Sequence, residues 1–105
     1  MKTELSLENW QFPEPQNLAV ITTKQVILEN HPILYAFHHE DGDWQFHTGE
    51  DLNEENATVV GLREIVNRDS SISDLANLPT GWIATRKSQN DDWQRFKDSR
   101  TDRDI

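Results

Sequence analysis

The chain has 105 residues, and its 10 Lys and Arg against 19 Asp and Glu give a formal net charge of −9. A chain of this length forms a single domain, and a hydrophobic fraction of 34 % predicts a small core to which the aromatic side chains (four Trp, four Phe and one Tyr) contribute much of the volume. The lack of cysteine excludes disulfides, cysteine–zinc sites and thiol catalysis. No apolar run approaches the ~18 residues of a membrane-spanning helix.

The start of the sequence predicts an irregular arm over residues 1–16. Pro13 and Pro15 disfavour a helix and favour an extended path. Trp10 and Phe12 indicate that the arm folds back onto its own domain, and an exposed partner-binding tip is the alternative. No basic segment followed by an apolar one begins the chain, so we expect a cytoplasmic protein. The single domain is predicted over residues 17–96, followed by a polar, frayed tail over 97–105.

The first regular elements are a strand and a helix. Residues 17–22 form an apolar, β-branched run that predicts a strand. Thr22 and Gln25 have the spacing of a capping box, which predicts a helix over residues 24–30.

A β-hairpin is the clearest local prediction. Two strand-like runs, residues 33–39 and 43–48, are joined through Asp41-Gly42, a pair typical of tight hairpin turns. With these two residues as the loop, His39 faces Trp44. Side chains alternate along a strand, so four aromatic rings are predicted together on the core face: Tyr35, Phe37, Trp44 and Phe46.

The second half of the chain predicts short elements. These are a strand over residues 57–60, a helix over 62–66, a helix that begins at a capping box of Ser71 and Asp74, a strand over 81–86 and a helical turn over 91–96. The expected fold class is α+β: a small, twisted, mainly antiparallel sheet of four or five strands with two or three short helices packed on one face.

Acidic residues concentrate in the middle of the sequence. Seven occur between positions 40 and 55 without any Lys or Arg: Glu40, Asp41, Asp43, Glu50, Asp51, Glu54 and Glu55. One interpretation is a solvated loop, and the other is a negative surface that steers a basic partner protein. The candidate anchors of such an interface are Trp82, Arg86 and Trp93, with a structural ion pair as the alternative for Arg86. A net negative charge argues against nucleic-acid binding.

Two histidines are weak candidates for a metal site. In the predicted hairpin His38 and His47 are diagonal neighbours on one face, and two imidazoles with a carboxylate can hold zinc; solvated histidines are the alternative. The sequence contains no nucleophile motif, phosphate-binding loop or metalloprotease motif. We therefore expect a protein that is not an enzyme and has no cofactor.

Several segments together resemble a known bacterial family. The most specific is the Asp41-Gly-Asp-Trp-Gln-Phe46 box with Gly49 after it, and the others lie in residues 20–24, 33–35, 62–65, 72–75 and 78–86. The family is the domain-of-unknown-function group described as immunity-protein-thirty-three-like. The resemblance implies a bacterial cytoplasmic protein that neutralises a toxin by binding, and it implies no catalytic residues. The alternative is a stand-alone regulatory or housekeeping domain, as a monomer or as a homodimer through the edge of its sheet.

Overall fold

Short strands and helices alternate along the chain. The structure, a computed structural model, describes residues 10–49 and 53–99. The strands are β1 (Ala19–Thr23), β2 (Tyr35–His38), β3 (Trp44–His47), β4 (Ala57–Gly61), β5 (Trp82–Thr85) and β6 (Gln94–Lys97). The helical segments are α1 (Lys24–Glu29), α2 (Leu62–Arg68) and a 3-10 helix (Ser70–Leu75).

The described strands form one mixed sheet of six, in the order β4-β1-β3-β2-β5-β6. The α+β class is confirmed, but the predicted number of strands is too low and the sheet is not antiparallel throughout, because β1 and β3 pair in parallel. A parallel pair requires a long crossover connection, and α1 and β2 lie in the segment between these two strands. Residues 91–96 were expected to form a helical turn, whereas β6 begins at Gln94 and pairs with β5.

The hydrophobic core lies between one face of the sheet and the helical segments, as the sequence predicts. Burial of large apolar side chains here supplies the main driving force for folding. The sheet contributes Val20, Ala36, Trp44, Phe46 and Ala84, and the helical segments contribute Val26, Leu62, Ile65, Ile72 and Leu75.

The β2–β3 hairpin forms, but with a register one residue away from the prediction. His38, rather than His39, lies opposite Trp44. The loop has three residues, 40–42: the Gly42 N–H donates to the His39 carbonyl (3.0 Å), and the His39 N–H donates to the Asp43 carbonyl (2.8 Å). Gly42 has a φ of 97°, the left-handed conformation that glycine supplies in such loops.

The register change moves two of the four predicted core rings. Trp44 and Phe46 are fully buried in the core, as predicted. Tyr35 and Phe37 lie opposite His47 and Gln45 and therefore point to the other face of the sheet.

Neither predicted capping box is formed. Thr23 precedes α1 without a side-chain cap, and α1 ends at Asn30 in the left-handed conformation (φ 61°). The 3-10 helix is capped by Asp69, whose carboxylate accepts a hydrogen bond from the Ser71 N–H at 3.0 Å.

The described part of the N-terminal arm docks on its own domain, as predicted. Phe12 is buried and meets the Trp44 ring edge-to-face, with 5.6 Å between the ring centroids. The Trp10 Nε1–H donates to the Glu14 carbonyl at 2.7 Å. Residues 1–9 lie outside the described part. At the other end, β6 includes Lys97 and Asp98 is buried, so the described start of the predicted tail is folded; residues 100–105 are not described.

Candidate protein-binding surface

The face of the sheet opposite the helical segments is called the open face here. The strand pairings align one residue from each strand in a row across it: Val59, Ile21, Gln45, Phe37, Ile83 and Phe96. Five of the six are apolar, and this set is called the apolar row. None of its members belongs to the core cluster, although Phe37 and Ile83 are buried.

Exposure along the apolar row is greatest at its two ends. Val59 on β4 is 63 % exposed and Phe96 on β6 is 46 % exposed, whereas Phe37 and Ile83 in the middle are 7 % and 6 % exposed. Single exposed apolar residues are common on protein surfaces, but Val59 and Phe96 are the two ends of one mostly apolar row across the sheet, which makes this face a candidate interface.

Two ring pairs lie on this face, one beside the apolar row and one that includes Phe37 of the row. Tyr35 stacks on His47, with 4.3 Å between ring centroids and 19° between planes, and Phe37 lies 4.0 Å from the His39 ring. Burial disfavours the charged imidazolium and so lowers the pKa of His47 from its ordinary value of 6.5. The Gly49 N–H donates to Nδ1 of His47 at 3.1 Å, which places the proton of the neutral ring on Nε2.

The lowered pKa of His47 predicts a loss of stability in mild acid. The unfolded chain takes up a proton on His47 near pH 6.5, before the folded chain does. The stability that the neutral ring contributes is therefore present above pH 6.5 and is lost as the pH falls through the lowered pKa. In urea titrations between pH 7.5 and 5, we expect His47→Gln to lose stability less steeply than the wild type. Identical pH dependence of the two proteins would contradict this assignment.

Acidic side chains lie beyond both ends of the central strands. Glu40 and Asp41 are in the β2–β3 loop and Asp43 directly follows it, whereas Glu54 and Glu55 lie between β3 and β4. All five are exposed. Strand β3 separates the two groups by roughly 13 Å along its axis, so they flank the open face instead of forming one loop surface. Glu50 and Asp51 lie outside the described residues.

The sequence interpretation missed two further acids at one of these ends. Asp91 and Asp92 are exposed and precede β6. Because Thr85, at the end of β5, pairs with Gln94, these acids lie at the same end of the sheet as Glu54 and Glu55. Their position depends on the path of β6, and the sequence pattern instead predicted a helical turn in this segment.

The three predicted anchors do not lie on the open face. Arg86 is 6 % exposed and forms a buried ion pair, its Nη2 lying 2.5 Å from Oδ2 of Asp69. This is the structural alternative considered for Arg86, and its burial removes it as an anchor. Trp93 is half-buried and covers the Arg86 guanidinium, whose Cζ lies 4.1 Å from the ring centroid. Trp82 is half-buried against the core.

The structure separates the two histidines proposed as metal ligands. His38 pairs with Trp44 and His47 pairs with Tyr35, so the two imidazoles point to opposite faces of the sheet. The one-residue change of register is the cause. Within residues 10–49 and 53–99, no group of three His, Cys, Asp or Glu side chains could hold a metal ion.

His38 instead belongs to a buried polar cluster that holds the arm. Its Nδ1 lies 2.7 Å from the Leu78 carbonyl, to which it donates, and its Nε2 lies 3.5 Å from Oε2 of Glu14. The same carboxylate oxygen accepts a hydrogen bond from Nε1 of Trp44 at 3.1 Å. No local pattern indicates a role for Glu14, because its partners are 24 and 30 residues away along the chain.

Together these features define a small α+β domain whose mixed sheet is covered by helices on one face. None of the described helices is long and apolar enough to cross a membrane. Comparison with protein-family models, curated proteins and solved structures finds no match for this chain. The family resemblance stated above therefore stays a prediction.

Proposed function

We propose that this chain is a non-enzymatic binding protein that receives a basic protein partner on its open face. The observation that carries the proposal is the apolar row, flanked at both strand ends by exposed acids. Such an arrangement fits an interface whose accessible apolar side chains, Val59 and Phe96, are bordered by a polar rim.

The two parts of the surface have different roles in binding. Burial of Val59 and Phe96, which are 63 % and 46 % exposed, supplies the favourable desolvation. The carboxylates at the strand ends, within a chain of net charge −9, attract a positively charged protein and raise its rate of association. The partner is therefore a protein with an apolar patch bordered by Lys and Arg.

Neutralisation of a basic toxin is the particular role that the family resemblance favours. A bound protein on the open face can block a toxin by covering its working surface, without chemistry. On this proposal a toxin gene adjoins the gene for this chain, and the probe is the purified domain of that toxin.

Titration of that toxin domain against wild type and two matched variants tests the proposal. Phe96→Ser removes an exposed apolar side chain from the open face and should weaken binding by about tenfold or more. Leu28→Ser makes the same kind of change at a residue of α1 that is 75 % exposed and should leave the affinity unchanged. Wild-type association should slow as salt is added.

Three results would count against the proposal. They are no binding at low salt, equal losses of affinity in the two variants, and association that is indifferent to salt. The first rejects a basic partner of this kind, the second places the interface away from the open face, and the third removes the electrostatic contribution.

The alternative of a stand-alone domain that self-associates through its sheet edge has one observation in its favour. The outermost strand β4 contains no charged residue.

A further inference from the structure

The two edge strands of the sheet differ in their protection. Exposed edges usually carry charges, prolines or bulges that prevent pairing with another chain. Strand β6 carries Arg95 and Lys97. Strand β4 has the sequence ATVVG, pairs along its full length with β1, and exposes Val59. Edge protection is therefore missing at β4.

The backbone of β4 presents unused hydrogen-bonding groups to the outside. The Lys24 N–H donates to the Asn56 carbonyl and the Leu62 N–H donates to the Leu18 carbonyl, both at 2.8 Å. Because backbone groups alternate in direction along a strand, positions 56, 58, 60 and 62 face β1, whereas the N–H and C=O of Val59 point outward. No hydrogen bond joins these two groups to any other residue in the described ranges.

We propose that β4 pairs antiparallel with β4 of a second copy of this chain, about a two-fold axis at Val59. Each Val59 then exchanges both backbone hydrogen bonds with Val59 of the second copy. Ala57 lies opposite Gly61 of the second copy, and the outward Gly61 N–H meets the outward Ala57 carbonyl. The Ala57 N–H is already used, since it donates to the Asn53 carbonyl at 3.0 Å.

Charge complementarity favours a second copy over an unrelated strand. Glu55 lies in the turn just before β4 and Arg63 lies in the first turn of α2 just after β4, so the two-fold axis brings Glu55 of one copy and Arg63 of the second to the same end of the paired strands. Both side chains are exposed, and neither forms a salt bridge with another described residue. The two-fold axis creates this opposite-charge pair twice, and it buries the two Val59 side chains against each other.

Two substitutions of Val59, by proline and by threonine, test whether the chains pair through the edge of β4. In sedimentation experiments reaching about 1 mM protein, the wild-type mass should rise from 12.2 kDa to twice that value. Val59→Pro removes the outward N–H without breaking the ladder to β1 and should stay monomeric. Val59→Thr keeps the N–H and should still dimerise. A monomeric wild type, or a Val59→Pro protein that still dimerises, would overturn the proposal.

A charge exchange tests the register and does not depend on the proline variant. Glu55→Arg alone and Arg63→Glu alone place like charges at the same end of the paired strands and should each weaken the dimer. A mixture of the two variants restores both opposite-charge pairs and should form heterodimers, as should the double variant with itself. Mixtures that stay monomeric while the wild type dimerises would exclude this register.

The proposed dimer shares Val59 with the apolar row, but it is tested separately from binding on the open face. The dimer uses the outward backbone of β4, whereas the Phe96→Ser test above probes the opposite edge of the sheet. Either proposal can therefore fail while the other stands.

Discussion

Replacing Arg86 with alanine is expected to lower the free energy of unfolding by about 3–5 kcal/mol. The guanidinium is almost fully buried; it pairs with Asp69 and donates to the Ile33 carbonyl from Nε at 3.1 Å and from Nη2 at 2.8 Å. Its Nη1 also donates to Oγ of Ser71 at 2.9 Å. Alanine would leave a carboxylate and a buried carbonyl without these donors, and unpaired buried polar groups are costly.

Urea unfolding followed by far-UV circular dichroism measures this loss. The matched control is Arg95→Ala, because Arg95 also makes two hydrogen bonds, to Asn77 and to the Asp74 carbonyl, but is exposed. This change should cost less than about 1 kcal/mol. The double variant Arg86→Met with Asp69→Asn should recover part of the loss, because no charge is left unpaired. Equal stability of Arg86→Ala and Arg95→Ala would show that the buried ion pair of Arg86 and Asp69 does not stabilise the fold by the expected amount.

The positions of most elements could be predicted because each depends on local sequence. The β-branched run before α1, the Asp41-Gly42 bend and the apolar spacing in α2 act over a few residues. The exception is β6. Trp93 and Phe96 have a spacing that fits a helical turn, but pairing with β5 makes these residues extended or irregular. A short apolar pattern does not distinguish these states without its tertiary partner.

The hairpin register could not be fixed from the same pattern. Asp41-Gly42 suits a two-residue loop and also a three-residue loop in which Gly42 is left-handed. The choice changes the pairing by one residue, and that shift moves Tyr35 and Phe37 from the core face to the open face. The apolar row of the candidate surface follows from this shift, so it could not be predicted.

Contacts between segments that are distant in the chain could not be predicted from the sequence pattern either. Arg86 follows β5 and carries a charge, which is typical of a surface position; its burial depends on Asp69 lying 17 residues earlier in the chain. The contacts of Glu14 could not be predicted from its neighbours in the sequence either, because they form only when the arm docks beside Trp44. At Arg86 the buried charge is tolerated because hydrogen bonds satisfy it, whereas at Glu14 Oε2 is contacted by Trp44 and His38 and Oε1 is buried without a hydrogen bond to any other described residue.

Replacing Trp44 with alanine is the second change with a large expected effect, a loss of about 3–5 kcal/mol. The ring is fully buried. It stacks on His38 with 4.0 Å between centroids and on Phe46 with 5.4 Å, and it meets Phe12 of the arm edge-to-face. Alanine would leave a cavity shared by the sheet and the arm, and it would remove the N–H that donates to Oε2 of Glu14.

Two further variants separate the contributions of the Trp44 ring. Trp44→Phe keeps most of the apolar volume but loses the hydrogen bond to Glu14, so it should cost about 1–3 kcal/mol. Phe96→Ala removes a ring that is 46 % exposed and should cost less than Trp44→Ala, because part of that ring is already in water. Far-UV circular dichroism again gives the unfolding midpoints, since fluorescence changes when a tryptophan is removed. If Trp44→Ala unfolded at the wild-type midpoint, the ring would not join the arm to the core, and the assignment of the two sheet faces would be reversed.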